Sequence, residues 1–259
     1  MNSKGFTVFI TGGSSGLGFE MAKALLGEGA TVAIAARPGA RLDNAFAALK
    51  ENGGDVYAVP MDVRDEEAVK RAAVWTEEHF GHLDMLVNNA GVGNNVGAGP
   101  DAEGRTPQIF DIPTEAFRTI VETNFYGYFL VTKAFTPMMV KAGRGRIVNV
   151  STSDATMTMK GQIPYGPARA AAEAMSKILS QELCEFGITV NVLCPGGATD
   201  TGMATDDMRE IFRKMGRTML PASIMNEAIL YLASPEAEGL NGEKIIGNRF
   251  HEWLAERKQ

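Results

Sequence analysis

The sequence predicts one α/β domain in which helices cover both faces of a parallel β-sheet. Short apolar runs rich in Val and Ile alternate with helical patterns along the chain, and a Gly-rich turn joins the first run to the first helix. At 259 residues the chain is long enough to bury a full core, and no linker, repeat or low-complexity tract divides it. We therefore interpret residues 1–259 as a single domain, with 248–259 as a C-terminal extension.

Seven strands and six helices follow from these patterns. The strand candidates are 6–10, 31–36, 55–59, 84–88, 145–150, 188–193 and 243–247. The helix candidates are 16–28, 40–52, 64–80, 114–142, 165–186 and 221–233. Two irregular stretches, 91–113 and 195–208, are long enough to be functional loops, and the second is typical of a lid. Parallel sheets bind ligands at the C-terminal ends of their strands, where every motif below lies.

Composition and charge argue against several classes of function. The chain is 45% hydrophobic and 22% charged, and its net charge of −6 without a basic block disfavours nucleic acid or an anionic membrane as a partner. No signal peptide or membrane span is visible, so a cytoplasmic location is expected. Cys184 and Cys194 stand in apolar settings and are interpreted as buried, reduced thiols. The three histidines lack ligand spacing, so no metal site is predicted.

The segment 11–18, Thr-Gly-Gly-Ser-Ser-Gly-Leu-Gly, is the strongest functional signal in the chain. Its glycines allow a tight turn and a close approach of the backbone to a pyrophosphate, to which the helix N-terminus offers free N–H groups. The alternative is an ordinary strand-to-helix turn, but the flanking strand and helix favour a dinucleotide site. The predicted contact residues are Gly12, Ser14, Ser15, Gly16, Leu17 and Gly18.

The end of the second strand predicts the type of dinucleotide. A carboxylate there would bind a free ribose 2′-hydroxyl, whereas an arginine favours a 2′-phosphate. Here Ala36 occupies the carboxylate position, Arg37 follows it, and Arg41 lies one turn further on. This pattern favours NADP over NAD, and the alternative is a solvated arginine at a helix entry.

Two further strand ends supply cofactor candidates. Asp62, followed by Val63, either accepts from the adenine amino group or caps the helix that starts near Arg64, and one residue is able to do both. Asn-Asn-Ala-Gly at 88–91 ends the fourth strand, where small residues let the chain run under a cofactor and Asn amides tie neighbouring strands. The contact residues predicted in this second segment are Asn89, Ala90 and Gly91.

Together these motifs resemble the short-chain dehydrogenase/reductase family. The chain has Thr-Gly-x-x-x-Gly-x-Gly at 11–18, Asn-Asn-Ala-Gly at 88–91, Asn124 in Thr-Asn-Phe, a hydroxyl cluster at 151–153 and Tyr165 on a helix. Their order and spacing match over about residues 5 to 247. The resemblance implies a Rossmann-like, doubly wound sheet of seven strands, a nicotinamide cofactor, and a homodimer or homotetramer.

The resemblance also implies a catalytic set of Asn, Ser, Tyr, and Lys four residues after the Tyr. Asn124 and Tyr165 fit two of these positions. Arg169 stands where the family has lysine, and the usual spacing of the serine falls on Thr152. If the loop is shifted by one residue, the alternatives to Thr152 are Ser151 and Ser153. Two of the four positions therefore depart from the family pattern.

Elementary chemistry assigns a role to each of these groups. Tyrosine, with an ordinary pKa of about 10, is a poor base near neutrality, and a fixed cation nearby stabilises its phenolate. Tyr165 and Arg169 are spaced i, i+4 on one helix face, and Pro167 suits the first helical turn. Arginine keeps the charge but does not release a proton. We expect Arg169→Lys to raise the rate or lower the pH optimum, whereas a clear loss would indicate a site built around arginine.

Two C-terminal segments complete the analysis. After the sixth strand, the resemblance implies that Pro195, Gly196 and Thr199, or Thr201 in place of Thr199, contact the nicotinamide carboxamide and hinge a lid. The alternative is a plain Pro-Gly turn. In the extension, Phe250, Trp253 and Leu254 share a helical face. That face docks either on a neighbouring subunit, or near the active-site mouth, or on its own domain.

The function predicted first is reversible hydride transfer between NADP(H) and a small carbonyl or secondary alcohol, with Tyr165 as general acid/base. Arg169 and Thr152 motivate an alternative, a cofactor-binding sensor or structural relative with an attenuated site, although the presence of Asn124 and Tyr165 disfavours it. A non-redox relative such as a dehydratase or epimerase is disfavoured by the glycine spacing and the short chain. The sequence does not name the substrate.

Overall fold

The computed structural model describes residues 5–51, 53–99 and 105–257, and they form a seven-stranded β-sheet flanked by helices. The strands are β1 (Thr7–Thr11), β2 (Thr31–Ala36), β3 (Asp55–Pro60), β4 (Met85–Asn88), β5 (Gly145–Val150), β6 (Ile188–Cys194) and β7 (Lys244–Ile246). All pairings are parallel. The predicted doubly wound, Rossmann-like α/β fold is confirmed, and no predicted strand end is off by more than one residue.

The helices fill the connections between these strands. They are α1 (Gly16–Gly27), α2 (Ala40–Glu51), α3 (Glu66–Phe80), α4 (Thr114–Val121), α5 (Gly127–Ala142), α6 (Asp154–Met157), α7 (Tyr165–Glu182), α8 (Asp206–Lys214), α9 (Asn226–Ala233) and α10 (Phe250–Arg257). The helix predicted over 114–142 is interrupted by a π-helical segment, Glu122–Tyr126. The sequence analysis predicted neither α6 nor α8, and α8 begins inside the stretch 195–208 that was expected to be irregular.

The order of the strands creates the crevice that the sequence predicts as the site. The order across the sheet is β3-β2-β1-β4-β5-β6-β7, so the chain runs outward from β1 in one direction and then returns to β4 and runs outward in the other. The loops that follow β1 and β4 therefore diverge to opposite faces of the sheet, which opens a crevice at their C-terminal ends. The glycine turn and the segment 89–91 border this crevice.

Both faces of the sheet are buried, which explains why its strands are apolar throughout. In β1, Val8 and Ile10 point to a core shared with α1, α2 and α9, whereas Phe9 points to the opposite core, shared with α3, α5 and α7. All three side chains are fully buried. No described helix is long and apolar enough to cross a membrane.

The start of α3 is capped by a different residue from the one predicted. Asp65 is the N-cap, and its carboxylate accepts hydrogen bonds from the backbone N–H groups of Glu67 and Ala68, each at 3.0 Å. Asp62 was proposed as a possible cap, but it lies three residues too early to reach these donors. Its carboxylate instead accepts from the backbone N–H of Arg64 and pairs with the Arg64 guanidinium at 2.7 Å.

The prediction of two buried thiols is right for one cysteine and wrong for the other. Both are free, but Cys184 is exposed because it lies in the short turn that follows α7. Cys194 is buried at the end of β6, and burial raises the pKa of its thiol to about 12. The Cys194 thiol therefore stays protonated at neutral pH.

The C-terminal extension forms α10 and packs on its own domain. Phe250 is buried in the core beside α9, with Trp253 and Leu254 packed against the same cluster. The ring centroids of Tyr231 and Phe250 are 5.6 Å apart, and those of Tyr231 and Trp253 are 5.8 Å apart. Of the three placements left open by the sequence, this apolar stripe takes the one within its own subunit.

Candidate active site

The glycine turn after β1 is held tightly against the end of β4. Gly12 and Gly16 have φ angles of 66° and 55°, a left-handed conformation that favours glycine. A Cβ on Gly12 would lie 2.8 Å from the Cα of Ala90, and a Cβ on Gly18 would lie 2.4 Å from Nδ2 of Asn89. Side chains at these positions would displace the backbone. The glycines are thus needed for packing as well as for the turn.

Asn89 ties the glycine turn to β4, as the sequence predicted for its amide. Its Nδ2 donates to the backbone oxygens of Thr11 and Gly12, at 3.0 and 3.1 Å. The Thr11 hydroxyl accepts in return from the backbone N–H groups of Asn89 and Ala90. These four bonds cross the crevice between β1 and β4 and fix its floor.

The N-terminus of α1 is open to an anionic ligand. Its N-cap Ser15 makes no side-chain hydrogen bond to the first turn, so the N–H groups there are not capped by that hydroxyl. A cavity of about 520 Å³ adjoins the turn, and its lining residues are Ser14, Ser15, Phe19, Arg41, Asn44, Ala45 and Ala48. Bare N–H groups, two hydroxyls and a guanidinium fit the phosphates of a dinucleotide. Both arginines are exposed, but Arg41 lines this cavity and Arg37 lies outside it.

The side chains of Asp62 and Val63 are less available to a ligand than the sequence suggested. The Asp62 carboxylate is occupied by Arg64, whose hydrogen bond lowers the pKa of Asp62 below its usual value. The Val63 side chain is buried, and a Cβ on Gly127 would lie 2.8 Å from it. The Val63 side chain therefore packs in the core, and only its backbone is available to a ligand.

Asn124 is fully buried in the π-helical segment between α4 and α5. Its Oδ1 accepts from the backbone N–H of Val92 and its Nδ2 donates to the Val92 carbonyl, both at 2.8 Å. The amide therefore holds the chain that follows β4 in place. A π-helical turn inside an α-helix is frequent at functional sites, and here it contains the predicted site residue Asn124.

Tyr165 and Arg169 meet on one face of α7, as their spacing predicted. The helix begins at Tyr165, whose backbone N–H donates to Oδ1 of Asn94 at 3.3 Å, and Pro167 lies in the first turn. The guanidinium carbon of Arg169 lies 5.3 Å from the centroid of the Tyr165 ring. Arg169 is only 2% exposed, so the charge acts on Tyr165 from inside the protein.

The Arg169 cation has no carboxylate partner among the described residues. Its Nη1 donates to the Tyr128 hydroxyl at 2.7 Å and to the Val150 carbonyl at 2.9 Å, while its Nε lacks a partner. Burial lowers the pKa of the guanidinium, but attraction to the phenolic oxygens of Tyr128 and Tyr165 outweighs it and raises the pKa. Burial raises the pKa of Tyr128, which stays neutral. A permanent positive charge therefore lies beside Tyr165.

Gly91 provides the space that this guanidinium needs. A Cβ on Gly91 would lie 2.4 Å from Nη2 of Arg169 and 3.2 Å from Oδ1 of Asn124. Gly91 was predicted to lie under a cofactor, and the structure adds a second reason for its small size. The chain after β4, the π-helical segment and α7 converge at this residue.

The three hydroxyls after β5 have different partners. The Ser151 hydroxyl donates to Oε1 of Glu173 at 2.5 Å. The Ser153 hydroxyl caps α6 by accepting from the backbone N–H of Thr156 at 3.2 Å. The hydroxyl of Thr152 has no hydrogen-bond partner in the described part of the chain. Thr152 is thus the member of the cluster whose hydroxyl is free to bind a ligand.

The segment after β6 lies across the glycine turn. Pro195 is buried. Gly196 has a φ of 93°, and a Cβ there would also collide with the Asn248 side chain, so both the backbone conformation and the available space favour glycine. Thr199 bridges to Leu220 and bonds its own loop, whereas Thr201 packs on the glycine turn, since a Cβ on Gly16 would lie 3.1 Å from the Thr201 Cβ. The predicted lid therefore contacts the glycine turn through Thr201.

The structure thus gathers most of the predicted residues at the C-terminal edge of the sheet. The sequence analysis missed four residues that hold them in place: Asn94, Tyr128, Glu173 and Lys244. Tyr128 lies four residues after Asn124, and Glu173 lies four residues after Arg169, a helical spacing that was available as a signal in both cases. For Asn94 and Lys244 no signal in the sequence indicates the contact, because their partners are distant along the chain.

Comparison with known proteins agrees with this geometry. Residues 6–211 match the family model described as short chain dehydrogenase. The chain is 30% identical over 255 residues to a 3-oxoacyl-(acyl-carrier-protein) reductase from Vibrio cholerae, covering 96% of this chain and 98% of that protein. It is also 30% identical over 242 residues to a ketoacyl reductase from Nostoc sp., covering 93% and 80%.

A solved structure shares the whole fold. A variant of the actinorhodin polyketide ketoreductase, crystallised with NADPH, superposes with a TM-score of 0.82 at 29% identity, covering 95% of this chain and 97% of that one. The chain therefore belongs to the short-chain dehydrogenase family, and it is an oxidoreductase of that family. The membership that the motifs indicated is confirmed.

Two glycines of α1 provide a matched test of the glycine turn. Gly18→Ala places a methyl group 2.5 Å from the backbone oxygen of Gly12, so we expect a loss of about 1–3 kcal/mol in unfolding free energy and at least about tenfold weaker dinucleotide binding. Gly27→Ala meets no atom within 4 Å, so it should leave binding unchanged and stabilise the helix by up to about 1 kcal/mol. Thermal unfolding and titration with NADPH and NADH measure both effects, and equal binding by the two variants would contradict the assignment.

Proposed function

We propose that this protein is an NADP-preferring oxidoreductase that reversibly transfers a hydride between NADP(H) and a small carbonyl compound or secondary alcohol. The observation that carries the proposal is the meeting of Tyr165 with the buried Arg169 cation, 5.3 Å from its ring. The same edge of the sheet carries the unpartnered hydroxyl of Thr152 and the buried Asn124. The ketoacyl reductases among its relatives support a ketone as the oxidised substrate.

The cofactor site follows from the crevice between β1 and β4. When bound, a reduced nicotinamide supplies the hydride and a dinucleotide phosphate occupies the turn at α1. The residues proposed to hold the cofactor are Gly12, Ser14, Ser15, Gly16, Leu17, Gly18, Arg37, Asp62, Val63, Asn89, Ala90, Gly91, Tyr165, Arg169, Pro195, Gly196 and Thr199. We add Arg41 to this set because it lines the cavity beside Ser14 and Ser15. Its charge is the stronger support for a 2′-phosphate and hence for NADP.

Tyr165 is the residue that donates and accepts the proton. In the reducing direction its phenol donates a proton to the carbonyl oxygen as the alkoxide develops, and the phenolate that remains is stabilised by Arg169. In the oxidising direction the phenolate takes the proton back from the alcohol. The Thr152 hydroxyl donates a hydrogen bond to the same oxygen, and Ser153 is the weaker candidate because it caps α6. Asn124 supports the site through its bonds to Val92.

Arg169 works here as a fixed charge. A guanidinium does not give up its proton near neutrality, so Arg169 does not relay protons to solvent. Two acceptors on Nη1 and the close packing of the guanidinium against Gly91 hold its plane in one position. We therefore favour the second of the two outcomes foreseen from the sequence, a site built around arginine.

We further propose that the protein assembles as a homodimer or homotetramer. Three aromatic side chains are each more than 40% exposed: Phe117 on α4, Tyr126 at the end of the π-helical segment, and Phe129 on α5. Exposed aromatic clusters of this kind favour association between subunits.

The cytoplasmic location expected from the sequence stays a prediction.

The first test removes the proposed acid. Tyr165→Phe keeps the ring and removes the hydroxyl, so kcat for ketone reduction should fall about 10²- to 10⁴-fold while NADPH binding is retained. Tyr57→Phe is the matched control, since Tyr57 lies on β3 among Trp75 and Phe80. Turnover is followed at the reduced-nicotinamide absorbance with a panel of ketones and alcohols. Undiminished turnover by Tyr165→Phe would exclude the role, and tight NADPH binding without any wild-type turnover would favour the sensor.

A second test addresses cofactor preference. Loss of a charge-assisted hydrogen bond costs about 1.5–3 kcal/mol, so Arg41→Ala should weaken NADPH binding roughly 10- to 100-fold and leave NADH binding nearly unchanged. Arg37→Ala, made in parallel, should have the smaller effect because Arg37 lies outside the cavity. Dissociation constants from fluorescence titration measure both. Equal weakening of NADPH and NADH would contradict a 2′-phosphate contact.

A third test asks whether the site is built around arginine. Tyr128→Phe removes the hydroxyl that accepts from Arg169, and Arg169→Lys removes the planar donor; each should lower kcat by about tenfold. Because both break the same interaction, the double variant should be little worse than either single variant. Rates are compared at saturating NADPH across pH. Additive losses, or a faster Arg169→Lys enzyme, would show that Tyr128 does not hold the cation.

A further inference from the structure

A chain of charged side chains lies directly beside the segment that carries Thr152. The Ser151 hydroxyl donates to Oε1 of Glu173 at 2.5 Å, and the Lys244 ammonium pairs with the other carboxylate oxygen, Oε2, at 2.9 Å. The same ammonium pairs with Oδ1 of Asp154 at 2.5 Å. We call these four residues, Ser151, Glu173, Lys244 and Asp154, the Lys244 network.

The burial of the Lys244–Glu173 pair distinguishes it from the surface ion pairs of the protein. The side chains of Lys244 and Glu173 are 23% and 14% exposed, whereas those of Lys141 and Glu77 are 77% and 45% exposed at a similar distance, 2.8 Å. Exposed pairs contribute little to stability or geometry because water screens them. A pair that is largely withdrawn from water interacts more strongly and restricts its side chains more.

The ion pair between Lys244 and Asp154 stays charged around neutral pH. A hydrogen bond from Lys244 and its charge lower the pKa of the Asp154 carboxyl, so it stays ionised down to acid pH. Burial lowers the pKa of Lys244, but its bonds to Asp154 and Glu173 outweigh this and raise it. The ammonium therefore stays protonated up to alkaline pH.

The network connects the elements that carry the two proposed reacting hydroxyls. Ser151 immediately precedes Thr152, and Asp154 begins α6 two residues after it. Glu173 lies on α7, two turns after Tyr165 and on the side of the helix that faces the sheet. Lys244 begins β7 at the edge of the sheet, 90 residues from Asp154 and 71 from Glu173 in sequence. One ammonium thus fastens both elements to the end of the sheet.

We propose that Lys244 and Glu173 are positioning residues. They hold the Thr152 hydroxyl at the position where it and the Tyr165 hydroxyl contact the same substrate oxygen. The inference rests on the proposed function, in which Thr152 binds the substrate oxygen. Ser151 is bound by Glu173, Ser153 is used as a helix cap, and Asp154 is bound by Lys244. Because the residues on both sides are held by these contacts, the Thr152 hydroxyl is the one that is left without a partner in the described chain. The network thereby selects which member of the cluster at 151–153 serves the substrate.

Lys244→Met tests the proposal, with Lys141→Met as the matched control. Misplacement of a reacting group by about 1 Å costs up to about 100-fold in rate, so Lys244→Met should lower kcat by about 10- to 100-fold while the KM for NADPH stays within about twofold. Lys244→Arg retains the charge and should recover most of kcat. Lys141→Met breaks an exposed pair and should leave kcat unchanged.

Asp154→Asn provides a second variant that does not endanger folding, because the Asp154 side chain is 85% exposed. It removes the ion pair with Lys244 alone and should lower kcat in the same direction by a smaller factor. Hydrogen–deuterium exchange adds a readout that needs no turnover. In Lys244→Met the amides of residues 152–158 should exchange at least about tenfold faster, while those of α3 should not change.

The outcomes separate this proposal from the proposed function. Lack of turnover by the wild-type protein would sink the proposed function, yet faster exchange confined to 152–158 in Lys244→Met would still support the network. Unchanged kcat in Lys244→Met, or unchanged exchange at 152–158, would overturn the network itself. If Lys244→Met and Lys141→Met lost kcat and thermal stability to the same extent, the proposal would also be overturned. The loss would then reflect general destabilisation of the protein and not the position of Thr152.

Discussion

The buried charge of Arg169 is the constraint around which this site is arranged. A guanidinium that is 2% exposed, without a carboxylate partner in the described chain, is tolerated only where polar atoms surround it. Tyr128 and the Val150 carbonyl supply acceptors, and Gly91 supplies space. The Tyr165 ring lies 5.3 Å from the guanidinium carbon, so the buried charge is placed beside the residue that we propose as the general acid.

A series of polar contacts fixes α7 on the sheet and so places this charge. Arg169 donates to the Val150 carbonyl, Glu173 accepts from Ser151, and Ser176 accepts from Asn149 at 2.8 Å, at successive turns of one helix face. Apolar side chains tolerate small sliding of a helix, whereas buried hydrogen bonds do not, because a displaced donor loses its partner. The opposite face of the sheet is packed mainly by apolar side chains of α1, α2 and α9.

The features that could be predicted from the sequence are those set by neighbouring residues. The strands were found because chains buried on both faces must be apolar throughout, and Tyr165 and Arg169 were paired because a helix brings i and i+4 together. The π-helical turn at Asn124 escaped prediction because one extra residue hardly alters an apolar pattern. Cys184 was predicted to be buried from its apolar neighbours, but it lies in a surface turn.

The order of elements, the glycine turn and the local geometry of Tyr165 and Arg169 could be read from the amino-acid sequence, since each depends on residues a few positions apart. Which hydroxyl at 151–153 is left free depends on the folded arrangement, because the partners of its neighbours lie on other elements. Lys244 is 90 residues from Asp154, and Tyr128 is 41 residues from Arg169. Such contacts leave no periodicity in a single sequence, and they arise only when the strand order brings distant elements to one edge of the sheet.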